Sequence, residues 1–258
     1  MENVAAVVLA KELGEKLIGG TIPKYNDDMM EIYRGEFTVS SLGIAVGPEL
    51  DLKVQSRLDW GRNVIDNLCN KLMFDAFSPP EYGATRLLYE TNGFAVSRDA
   101  IKNSLVAAVS FVSVRRGDVS RGEPKIVYTP YSGRQATGRF NLNTGELDAA
   151  IAIEKTKNGV PEYYLYFVPG AVFRLNKQFQ IVGWYETGLK RITMIPFVYN
   201  QDLASNPFGE SYLTPGAIDA LVGAMRILTL LKLATELGVS PTTSFWPHFE
   251  TPNLWMPS

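Results

Sequence analysis

Residues 217–237 constrain this chain more than any other stretch, because they are apolar nearly all round and read as one long helix. At about 1.5 Å per residue such a helix spans roughly 31 Å, well beyond the ordinary globular helix of about 11 residues. Its start is written in Thr214-Pro215, an N-cap residue followed by proline at the first helical position, and Gly238 marks its end. Asp219, Arg226, Lys232 and Glu236 lie inside it. At roughly 2.5 to 3.5 kcal/mol for each central charge, a membrane span is excluded. These charges and Thr229 are spaced by seven, three, three and four residues and are expected near one side, interrupted by Val222 and Met225. So greasy a helix must be covered by several neighbours, either the rest of its own domain or copies of itself.

Upstream, Met194-Ile195-Pro196-Phe197-Val198-Tyr199-Asn200-Gln201 is expected to be an extended arm, since Pro196 fixes φ and withholds an N–H. Asn200, Asn206 and Pro207 add turn signals before Phe208-Gly209-Glu210-Ser211. Further back, the character of the chain changes near residue 108. Before it, helical patterns are expected over 4–18, 27–33, 57–77, 81–91 and 98–108, with Asp27-Asp28 in a first helical turn. In the third of these, Trp60, Val64, Leu68 and Leu72 recur every four residues and predict one buried stripe, and Pro79-Pro80 stops the helix. After it, strands are expected over 111–114, 125–128, 147–153, 163–168 and 179–185. Asn141-Leu142-Asn143-Thr144-Gly145 and Lys157-Asn158-Gly159 read as hairpin loops, with glycine supplying positive φ. The fold predicted is α+β: N-terminal helices, a β-sheet or small barrel, and a long helix projecting at the C-terminal end.

Chemical signatures are sparse. There is no G-x-x-x-x-G-K-[ST] and no G-x-G-x-x-G, which argues against nucleotide chemistry and a bound cofactor. Gly209-Glu210-Ser211-Tyr212-Leu213 begins like a nucleophile elbow, but Leu213 stands where the second glycine belongs, so Ser211 is expected to stabilise a turn. His248 is the only histidine, set among Trp246, Pro247 and Phe249; with Ser211 it gives the alternative of a serine hydrolase. Cys69, the only cysteine, sits between Leu68 and Leu72 and is expected to be a buried thiol, which leaves no His/Cys metal site. Hydrophobic residues at 46% and charged residues at 20% indicate a folded chain made in the cytosol, and Glu2, Lys11 and Glu12 rule out a signal peptide. The net charge of −2 lacks the basic footprint of a protein that grips nucleic acid, and Arg115-Arg116 and Lys190-Arg191 are isolated pairs expected at solvated strand ends.

Four pieces of the chain together resemble the front part of a portal protein of tailed bacteriophages, of the siphophage type. Residues 28–36, ending in Tyr33-Arg34-Gly35, are similar to a short helix closed by Tyr-x-Gly. Residues 63–72, with Val64-Ile65-Asp66, resemble an apolar helix carrying Val-x-Asp. Thr129-Pro130, residues 136–141 and residues 144–151 look like the β-rich wing of that family. Last, Ile195-Pro196-Phe197-Val198, Gly209-Glu210-Ser211, the run 215–237 and Pro241 are similar to arm, stem helix and the opening of the clip. One departure is Ala107-Ala108-Val109-Ser110, where the family pattern leads us to expect a glycine between helix and strand.

The resemblance implies a division into a helical part of the wing (1–108), a β-rich part (109–200), and arm, stem helix and clip start (201–258). Members of that family continue well past this point, so the chain is expected to be a fragment of a longer protein or a naturally shortened product. The implied function is structural: a ring of identical subunits at the capsid vertex of the virion, in the family a dodecamer, made in the host cytoplasm and without membrane, metal or cofactor. Such a ring conducts double-stranded DNA without binding it specifically, and a basic channel lining would hold phosphates instead of letting them slide. Its implied partners are the major capsid protein, the scaffolding protein, the terminase packaging motor and the head-tail adaptor. Asp219, Arg226, Thr229, Lys232 and Glu236 are then candidates for the channel wall or the subunit interface. An unrelated oligomeric scaffold or adaptor module is the other structural alternative.

Overall fold

The computed structural model describes residues 2–37, 57–72 and 83–236. Five helices, α1 (Glu2–Gly19), α2 (Thr21–Arg34), α3 (Trp60–Lys71), α4 (Ala84–Glu90) and α5 (Gly93–Ala107), precede eight strands among these residues. The strands are β1 (Val109–Arg116), β2 (Ile126–Ser132), β3 (Ala136–Phe140), β4 (Leu147–Lys157), β5 (Val160–Val168), β6 (Ala171–Asn176), β7 (Ile181–Glu186) and β8 (Met194–Val198). Helix α6 (Pro215–Glu236) follows. The fold is α+β. Of the described residues, 2–37 and those within 59–218 form one compact unit, and α6 from Asp219 to Glu236 belongs to a second.

Two antiparallel sheets build the first unit, one of three strands in the order β2-β1-β8 and one a five-stranded meander β3-β4-β5-β6-β7. Alternation along the strands sends side chains to two different cores. Val109, Phe111 and Met194 of the small sheet meet Phe140, Leu147, Ala150, Ala152, Phe167 and Val172 of the large one, so the first core lies between the sheets. On the other face of the large sheet, Ala149, Ile151, Tyr164, Tyr166 and Leu175 pack under Ala10, Leu13 and Leu17 of α1. The small residues Ala149, Ala150 and Ala152 let β4 be covered closely on both sides. Gly14 of α1 supplies the matching gap, since a Cβ there would lie 2.0 Å from the ring of Phe179, which stacks on Tyr164 at 5.0 Å.

Helix α5 covers the outer face of the small sheet, where the fully buried Ser110 donates its hydroxyl to the Ala100 carbonyl at 2.6 Å. Helices α2 and α3 pack beside it. The Tyr33-Arg34-Gly35 end of α2 is a capped terminus: Gly35 takes φ 68°, its N–H bonds Ile32 O, and Glu36 N–H bonds Glu31 O. The expected hairpins form, with Asn158 and Gly159 as a two-residue turn at φ 53° and 78°. Gly145 closes the β3–β4 loop at φ 72°.

Several expectations need correction. The buried stripe of α3 is Gly61, Ile65 and Cys69, one residue on from the predicted set, and Trp60 and Val64 are 53% and 47% exposed. Gly61 favours this face, because a Cβ there would sit 3.1 Å from the Ile32 carbonyl, a tight contact that glycine spares where α2 and α3 meet. Leu72 already has extended backbone, so the helix ends before Phe77; residues 73–82, with the Pro79-Pro80 stop, lie outside the described residues. Helix α2 begins at Thr21, which places Asp27-Asp28 in its middle instead of its first turn. Phe179 is a turn residue at φ 59°, so β7 starts only at Ile181, and β6 adds a strand that the sequence pattern did not suggest. The arm is a paired strand, β8, running antiparallel to β1.

Candidate functional site

The segment from β8 to α6 is built around a run of backbone bonds that only certain residues permit. Val114 N–H bonds Thr193 O and Tyr199 N–H bonds Ala108 O, both at 2.9 Å, so bonded pairs fall at 193, 195, 197 and 199. Pro196, opposite Phe111, therefore occupies a non-bonded pair, and its missing N–H leaves the ladder to β1 intact. After β8 the chain closes a loop in which Asp202 and Asn206 bond each other in both directions through their backbones. Gly209 ends the loop at φ 71°; a Cβ there would lie 2.0 Å from the Tyr199 carbonyl, which accepts the Glu210 N–H at 3.0 Å.

Ser211 then fastens the segment to α5. Its buried hydroxyl donates to Val106 O at 2.7 Å and accepts the Leu213 N–H at 3.0 Å, and its own N–H donates to the Tyr25 hydroxyl at 3.2 Å. Tyr212 N–H adds a bond to Leu105 O. The hydroxyl hydrogen is thus committed to a backbone carbonyl, the turn role expected of this serine. His248 and Pro241 lie outside the described residues. Tyr25 escaped the sequence reading because its helix was expected to start at residue 27; the aromatic residue in the turn before Asp27 was the available signal.

Thr214-Pro215 opens α6 as expected: Ile218 N–H bonds Thr214 O at 3.0 Å, and the Thr214 hydroxyl faces the Ala217 N–H at 3.4 Å. Along α6, Leu221, Met225 and Thr229 recur every four residues and are buried. Thr229 tolerates this because its hydroxyl donates to Met225 O at 2.8 Å. The five candidate residues are thereby separated. Asp219, Arg226 and Lys232 are exposed, Thr229 lies on the covered stripe, and Glu236 is the last described residue of the helix. Between the charges the surface is apolar, with Ile227 61%, Leu228 37%, Leu230 39% and Leu231 50% exposed.

Burial pushes the Cys69 thiol up, away from the reactive thiolate. Glu123 is held down to about 2, chiefly by the Arg115 guanidinium at 2.8 and 3.0 Å and also by the Asp118 N–H at 2.9 Å. Among the described residues no group of three His, Cys, Asp or Glu is placed to hold a metal ion, and no helix is long and apolar enough to cross a membrane. No protein-family model matches this chain, and no curated protein matches it.

Proposed function

We propose that this chain is a subunit of the portal ring at the capsid vertex of a tailed bacteriophage, a structural part through which double-stranded DNA passes during packaging and ejection. The observation that carries this reading is the apolar surface left open on α6, where Ile227, Leu228, Leu230 and Leu231 face outward between exposed charges. Water is a poor neighbour for that surface, and copies of the same helix arranged around an axis would cover it. The order of elements supports the same reading: a helix capped at Gly35, a helix carrying Val64 and Asp66, a β-rich body, the strand with Pro196, the Gly209-Glu210-Ser211 turn and the long helix.

In this role the chain carries out no bond chemistry. It offers a rigid body to the major capsid and scaffolding proteins and a docking ring to the head-tail adaptor, while the terminase motor supplies the energy for DNA movement. The net charge of −2 suits a wall past which phosphates must slide. Negative-stain electron microscopy of the purified protein tests the proposal. Rings with a central hole, about twelve-fold as in the family, support it; a monomer at every concentration tried overturns it.

A further inference from the structure

We propose that the cleft between α2, α5 and the β2–β3 turn receives the basic end of the three-stranded sheet of a second copy of this chain, an inference that rests on the ring reading. The cleft encloses about 600 Å³ and is lined by Asn26 and Glu31 from α2, Asp99 and Asn103 from α5, and Ser132 and Gln135 from the turn. Two of its carboxylates are matched internally, Asp27 by Arg134 at 3.0 Å and Glu36 by Arg34 at 3.9 Å. Glu31 and Asp99 are exposed and make no ion pair among the described residues. In the wall lies Asn26, only 3% exposed, whose Oδ1 and Nδ2 both lack a hydrogen-bond partner. A carboxamide is rarely buried without partners, and this one belongs to the same cleft as the two unpaired carboxylates. These acceptors together suit a cation with several N–H donors, a guanidinium or an ammonium group.

The chain carries such groups at the opposite end of the same sheet. Ser132, in the cleft, pairs with Ser110 at the start of β1, and β1 ends at Arg116, roughly 20 Å further on at about 3.4 Å per residue. There Arg116 and Lys125 are exposed at neighbouring strand ends and make no ion pair among the described residues, while the adjacent Arg115 is bound to Glu123. The length of the strand keeps these cations from the cleft of their own copy. Between copies they meet head to tail, a heterologous contact of the kind that closes into rings.

Charge reversal in the full chain tests the contact, with association read by sedimentation velocity at low salt and folding by circular dichroism. Glu31→Lys with Asp99→Lys, and separately Arg116→Glu with Lys125→Glu, each weaken association by roughly tenfold or more while the fold is kept. Mixing the two reversed proteins restores assembly, because every contact in an alternating array is again between opposite charges. Asn26→Leu removes the orphaned amide at similar volume, so it raises the melting temperature and weakens association. Reversed proteins that each assemble like the parent, or a mixture that stays dissociated, overturn the contact and leave the ring reading standing. A parent chain that is monomeric throughout removes both.

Discussion

The Lys102 ammonium lies 2.7 Å from Asp66 Oδ1, the same oxygen to which the Tyr33 hydroxyl donates at 3.0 Å, so one carboxylate ties α5, α3 and α2 together. The hydrogen bond from Lys102, with help from Tyr33, holds Asp66 below the usual carboxylate range, against the effect of desolvation. Both side chains are about one-third exposed, which limits the gain. Asp66→Asn is expected to cost about 0.5 to 1 kcal/mol at neutral pH. A carboxyl lowered in the folded state stabilises above its unfolded titration and loses that contribution as pH falls through its folded value. Urea unfolding of parent and variant should therefore converge as pH falls below the usual aspartate range.

Ala108 marks a second relationship. It ends α5 at φ 68° and ψ −43°, a conformation that strains any residue with a Cβ, and its carbonyl accepts the Tyr199 N–H. Ala108→Gly should raise stability by about 0.5 to 1 kcal/mol, seen as a higher melting temperature. It lies in Ala107-Ala108-Val109-Ser110, the stretch in which the resemblance led us to expect a glycine.

Gly209→Ala should act in the opposite sense. Its Cβ would fall on the Tyr199 carbonyl while the backbone stays at positive φ, so a loss of about 3 kcal/mol or more is expected, with loosening of the Ser211 attachment. Thermal melts and amide exchange at Ser211, Tyr212 and Leu213 measure it.

The Arg115–Glu123 pair gives a prediction in pH alone. Glu123, ordinarily near 4.5, titrates at about 2 in the folded chain, so what it contributes is present above pH 4.5 and disappears as pH falls toward 2. Side-chain NMR titration should place its midpoint there, and Arg115→Ala should return it toward the ordinary value. A midpoint near 4.5 in the parent would sink the assignment.

On α6, Leu231→Lys and Met225→Lys should part company. Leu231 is half exposed and Met225 is buried. The first change is expected to leave circular dichroism unchanged while self-association falls; the second puts an unpaired charge in a covered site, costs several kcal/mol and unfolds structure. Light scattering beside circular dichroism distinguishes them.

Legibility in the sequence followed chain chemistry. The start of α6 was readable because Thr214-Pro215 is local, and so were the Asn158-Gly159 and Gly145 turns. The stripe on α3 was not, because periodicity weights large apolar groups, whereas the face turned to α2 includes Gly61, which has no side chain to weigh. β6 was hidden by Arg174, which lies over the Tyr163 ring at 4.1 Å and bonds Glu154, so a charged residue sits on a strand without disturbing it. Of the candidate site, the apolar girth of α6 was visible, but the burial of Thr229 apart from its charged neighbours was not, since spacing alone cannot say which side is covered.

Pro196 has one more effect. β8 is the outer strand of its sheet, and on the side away from β1 its free backbone groups come from residues 194, 196 and 198. The middle one offers a carbonyl but no donor, so a foreign strand laid there would lose a bond at its centre. That margin thereby resists templated, fibre-like growth, so copies at high concentration are steered away from amyloid-type stacking by a single imino acid.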